Sequence, residues 1–115
     1  SSRTPVSLSD ADINLMAAVM TLECGNESYE GQLAVANVIL NRLQSGAWGS
    51  TISSVVYATN QFSVVSDSRL QGLIQNGAQA SCIQAARDAC AGNNNIGDLM
   101  SFRPARYVDT STWNL

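Results

Sequence analysis

The chain contains no histidine, and all six of its basic residues are arginine, so it has no lysine either. Without His, neither a Ser-His-Asp nor a Cys-His nucleophilic arrangement can be assembled, and the commonest zinc ligand is missing. Without Lys there is no Schiff base, no Ser-Lys dyad and no Walker-type phosphate loop. Any catalytic proton transfer is left to carboxylates, a Tyr or a Cys thiol. Charge is also scarce: 13% of residues carry it, nine acids against six arginines, for a net charge of -3. Arg3, Arg42, Arg69, Arg87, Arg103 and Arg106 are scattered and form no basic stripe, which argues against a nucleic-acid partner. Long apolar runs are missing too. The two longest, Leu15 to Leu22 and Leu33 to Leu40, fall well short of the ~20 residues a membrane-spanning helix needs, so no membrane insertion is expected. The opening Ser1-Ser2-Arg3 has neither an initiator Met nor an apolar signal core, the expectation for a processed chain or an excised domain. Abundant Ser, Thr, Asn and Gln fit a secreted protein, and a monomer is expected.

At 115 residues with 45% apolar content, one domain spanning residues 1–115 is expected. A chain of this size buries roughly two-thirds of its unfolded surface and needs no metal, cofactor or disulfide framework to hold a core. The three cysteines are Cys24, Cys82 and Cys90. On one helix Cys82 and Cys90 would lie about 12 Å apart, beyond bridging distance, which leaves Cys24 as the only possible partner for either. The simplest reading makes all three small buried hydrophobes.

Capping signals and apolar spacing predict a mostly helical chain. Ser9, followed by Asp10 and Asp12, starts a helix that runs to Cys24 and is apolar on most sides, the pattern of a buried helix. Gly25-Asn26 reads as its left-handed stop. A second helix is predicted from Tyr29 to Gln44, capped by Ser28 and ended by Gly46, with Leu33, Ala36, Leu40 and Leu43 facing the core and Asn37, Asn41 and Gln44 on another side. Shorter helices are predicted over 51–57, 67–76 and 79–91, and short strands over 62–65 and 99–102. The predicted fold class is therefore α+β, mostly α, with a small β element.

Glu23 departs from this pattern. It follows Met16 by seven residues and Met20 by three, which places a carboxylate close to the direction of two core side chains. Burial and the negative end of the helix dipole both disfavour its ionised form, and a raised pKa suits a general acid near neutral pH. The competing reading pairs Glu23 with an arginine such as Arg42 or lets it reach solvent. Glu27 invites comparison with glycosidase carboxylate pairs, but Gly25 argues against one continuous helix and favours a structural place for Glu27 before the second cap. Cys24 is a poor nucleophile here, since it has no His and sits at the wrong dipole end.

The run from Glu23 through Cys24-Gly25-Asn26-Glu27-Ser28-Tyr29-Glu30-Gly31-Gln32 to Asn41-Arg42 resembles the signature of the bacterial cell wall hydrolases that include the spore cortex-lytic enzymes, E-A-R-G-E-x-Y-E-G-Q-x-A-V-A-x-V-x-x-N-R. Gln61-Phe62-Ser63 is similar to the family's Q-F-S segment, and Ala85 to Gly92 and Leu99 to Phe102 are similar to its later helix and strand. The chain departs from the pattern where Cys24-Gly25-Asn26 stands in place of Ala-Arg-Gly, which removes an Arg beside the two acids.

This resemblance implies a lysozyme-like catalytic domain that cleaves the glycan strands of peptidoglycan as a lytic transglycosylase, with no metal and no cofactor, outside the cytoplasm at a cell wall or spore. Glu23 maps onto the catalytic acid. The muramic acid's own 6-hydroxyl would be the nucleophile, giving a 1,6-anhydro end and making a second catalytic carboxylate unnecessary. Glu27, Tyr29, Gln61, Ser63 and Phe102 are the candidate substrate-binding residues: Gln61 and Ser63 by hydrogen bonds to acetamido or hydroxyl groups, Tyr29 and Phe102 by packing on a sugar face. A water-using muramidase on the same fold and a wall-binding module without turnover are the alternatives.

Overall fold

Local capping chemistry decides where the first three helices begin. The computed structural model describes residues 2–58 and 68–100. Helix α1 spans Asp10–Cys24, and the Ser9 side chain accepts from the Asp12 amide at 3.1 Å. Helix α2 spans Tyr29–Ser45, with Ser28 accepting from the Gly31 amide and Gly46 closing it at a φ of 75°, a left-handed angle that glycine adopts without a Cβ penalty. Helix α3, Ile52–Tyr57, opens with a reciprocal capping box between Thr51 and Ser54. Helices α4, Ser68–Asn76, and α5, Ala80–Cys90, complete the described elements.

Helix α1 forms the hub. Met16, Ala17, Ala18, Val19 and Met20 are fully buried in sequence, which a helix can achieve only if neighbours surround it, and α1 packs against each of the other four helices. Each buried Met contributes on the order of 1.5–3 kcal/mol of apolar transfer energy. The core draws on all five helices, with Leu40 from α2, Val55 from α3, Leu70 from α4 and Ala86 from α5 among its members. Helix α2 lies against α1, α3 and α5.

Asn37 departs from its predicted place away from the core side. It is fully buried, because the N-terminal arm folds over this face of α2. Arg3 donates to Asn37 Oδ1 at 2.9 Å and to Gln44 Oε1 at 2.8 Å, while Asn37 Nδ2 donates to the Asn93 carbonyl at 2.9 Å. One buried amide thus stitches the arm, α2 and the turn after α5 together, with its polar atoms satisfied.

The described residues are almost entirely helix and turn. Extended pairing among them amounts to two isolated bridges, Ser2 with Asn93 and Ala47 with Gly49. The strand predicted over 62–65 lies outside the described residues. Of the one predicted over 99–102, Leu99 and Met100 have irregular backbone, and the other two positions lie outside the described residues.

Candidate active site

Glu23 occupies the last turn of α1, directly beyond the buried Met16 to Met20 stretch. The carboxyl is partly buried, and its Oε1 has no hydrogen-bond partner among the described residues. Loss of water around the charged form pushes its pKa up to about 7. The C-terminal dipole end of α1 acts in the same direction. Arg42, the partner considered from the sequence, lies at the far end of α2. Its Nε donates to the Met100 carbonyl at 2.9 Å and its guanidinium stacks over Trp48 at 4.8 Å, and it makes no ion pair with Glu23.

The turn that carries Glu23 into α2 is held from two sides. Gln32, buried at the start of α2, reaches back so that its Nε2 donates to the Glu27, Gly25 and Cys24 carbonyls at 3.1, 3.3 and 3.4 Å. From α5, Gln79 Nε2 donates to the Gly25 carbonyl at 2.9 Å, and the Gln79 amide donates to Thr21 Oγ1 at 3.1 Å. Gly25 is not the left-handed stop predicted from the sequence, for its φ of -60° and ψ of -25° are helical. Crowding explains the glycine instead: a Cβ here would lie 2.4 Å from the Thr21 carbonyl oxygen and 2.9 Å from Gln79 Oε1.

The other expected residues are distributed unevenly. Glu27 lies beyond the end of α1, half-buried, with its amide donating to the Cys24 carbonyl at 3.0 Å, so the spacing of two acids on one helix does not apply. Tyr29 opens α2 and its hydroxyl bonds the Asp88 carboxylate on α5. Desolvation, then that contact, pushes its phenol up to about 12. The residue remains 37% exposed. Gln61, Ser63 and Phe102 lie outside the described residues. Two surface depressions, one of about 250 Å³ at Asn41, Gln44, Ser45, Asp98 and Met100, the other of about 270 Å³ at Val6, Leu8, Ile13, Arg87 and Cys90, are not lined by Glu23. Among the described residues no three His, Cys, Asp or Glu side chains are grouped to hold a metal ion, and no helix is long and apolar enough to cross a membrane.

Sequence reasoning missed Gln32 and Gln79. Gln32 had a signal available: it is the one polar side chain in the buried run Gly31 to Ala36, where an amide must find backbone partners. Gln79 had none, since its partners lie on α1, more than fifty residues earlier in the chain.

Chemically, an acid with a pKa near 7 is substantially protonated at neutral pH and can give up that proton to a basic oxygen. The resulting carboxylate, poorly solvated, is in turn a competent base. A model of the cell wall hydrolase family matches residues 26–115. The chain belongs to the cell wall hydrolase family. Glu23 stands three residues ahead of that matched region. A spore cortex-lytic enzyme of Bacillus cereus is 36% identical over 110 residues, 95% of this chain and 40% of the relative, a span that takes in Glu23. Spore cortex-lytic enzymes of Oceanobacillus iheyensis and Bacillus subtilis are 44% and 38% identical over 66 residues, 57% of this chain and 24% and 22% of the relatives. This cell wall hydrolase chain therefore spans well under half the length of these relatives. No solved structure matches it.

Proposed function

We propose that residues 1–115 form a lysozyme-like catalytic domain that cleaves peptidoglycan glycan strands as a lytic transglycosylase, with Glu23 as its single acid and base. The observation that carries this reading is the half-buried Glu23 carboxyl, whose Oε1 has no partner among the described residues and whose pKa is raised to about 7. Membership of the cell wall hydrolase family and the similarity to spore cortex-lytic enzymes support a cell wall substrate.

In this mechanism protonated Glu23 donates to the glycosidic oxygen that links N-acetylmuramic acid to the next sugar. The bond from the anomeric carbon to that oxygen breaks, and positive charge develops on the muramic ring. The Glu23 carboxylate then takes the proton from the 6-hydroxyl of the same ring as that oxygen closes on the anomeric carbon. No water is consumed, and the carboxyl returns to its starting state. Because the nucleophile belongs to the substrate, Glu27 is not needed as a second catalytic acid. Glu27 and the partly exposed Tyr29 belong to the sugar-binding surface in this reading, with Gln61, Ser63 and Phe102 as further contacts. The domain works as a monomer, outside the cytoplasm, without metal or cofactor.

Digestion of purified sacculi by the wild type and by Glu23→Gln tests the proposal. The wild type should release fragments ending in anhydromuramic acid, one water lighter than reducing-end fragments. Glu23→Gln should lose at least about a hundredfold in rate while keeping its fold. Reducing ends in the wild-type digest would make water the nucleophile and the enzyme a muramidase. Wild-type rates in the variant would remove Glu23 from the chemistry, and binding to sacculi without soluble product would leave a wall-binding module.

A further inference from the structure

Two of the three cysteines meet behind the Glu23 turn. Cys24 is the last residue of α1 and Cys82 lies in the first turn of α5. Both are buried free thiols in the same core cluster, and they lie close enough that each perturbs the ionisation of the other. Backbone and side-chain bonds on either side hold the two segments in register: Gln79, three residues before Cys82, bonds both Thr21, three residues before Cys24, and Gly25, one residue after it. Cys90 is at the other end of α5, about 12 Å of helical rise from Cys82, where its carbonyl accepts from the Val6 amide.

We infer that Cys24 and Cys82 are a dithiol–disulfide couple that, when oxidised, staples the end of α1 to the start of α5 directly behind Glu23. The inference stands apart from the reading of Glu23, since it needs only the placement of the two thiols. Cys82 is fully buried and Cys24 nearly so, so the bridge forms by exchange as the chain folds, before the two thiols are enclosed. With a small disulfide such as oxidised glutathione as the oxidant, the thiolate of one of the two cysteines attacks one glutathione sulfur and expels a glutathione thiolate. The other cysteine then loses its proton to that thiolate and attacks the sulfur of the first, expelling the second glutathione. Two protein thiols become one disulfide, and one glutathione disulfide becomes two thiols.

The test refolds the reduced, denatured chain in a glutathione buffer rich in the oxidised form, then maps peptides without reduction. The expected product is 2 mass units lighter than the reduced chain, carries a Cys24–Cys82 linked peptide pair and leaves Cys90 open to alkylation. Its melting midpoint should rise by on the order of 10 °C and fall back on adding dithiothreitol. Cys90→Ala should behave as the wild type, and Cys82→Ala should form no bridge. Recovery of Cys24 and Cys82 as free or glutathionylated thiols, or a bridge that uses Cys90, would overturn the inference.

Discussion

The two ends of α1 carry carboxylates in opposite surroundings. At the start, Asp10 is 97% exposed, beside the positive end of the dipole, with only a long 3.8 Å contact to Arg87. At the finish, Glu23 faces the negative end, part of it is shut off from water, and no described residue bonds its Oε1. Acids at the first end support the helix and add nothing else. An acid at the second end is held against its own ionisation, the state a general acid requires near neutral pH. What separates the two is the neighbourhood that the fold supplies, since the side chains themselves are nearly the same.

Breaking the support of the Glu23 end should cost most. Gln32→Leu strips three turn carbonyls of a donor and should lower the unfolding free energy by about 2–3 kcal/mol, read from urea denaturation. Next comes the ionisation penalty itself. Because the folded pKa of Glu23 lies above its unfolded value of about 4.3, the native state holds the extra proton between those two values. Its contribution to stability is complete below pH 4 and is lost as pH rises through 7. Glu23→Gln should therefore be more stable than the wild type at pH 8 by about 1–2 kcal/mol, a figure reduced for the partial exposure of the carboxyl, and the advantage should vanish near pH 4. At the opposite end, Ser9→Ala removes a cap and should cost about 1 kcal/mol in the same assay. Asp10→Asn should move the melting temperature by about 2 °C or less.

The same contrast shows what a reader of the sequence can see. Ser9, Ser28 and Thr51 accept from amides, and the Gly46 amide donates to the Leu43 carbonyl, all within a few residues, so the starts of α1, α2 and α3 and the end of α2 were legible. Glu23 was legible as well, because its helical direction relative to Met16 and Met20 is fixed by the repeat. Contacts across long stretches of chain were not. The helical backbone of Gly25 reflects crowding by Thr21 and Gln79, the burial of Asn37 reflects the arm at Arg3, and the meeting of Cys24 with Cys82 depends on how α5 docks. Arg42 illustrates the same limit. Its spacing made it a plausible partner for Glu23, yet a helix of this length carries it to the far end of α2, onto Trp48.

The account turns on a carboxyl that stays protonated where an ordinary one would not. Following the Glu23 side-chain carboxyl carbon by NMR across pH 3 to 9 measures that directly. The expected midpoint is near 7. A midpoint in the ordinary range around 4.3 would contradict it, leaving Glu23 ionised at neutral pH with no proton to deliver.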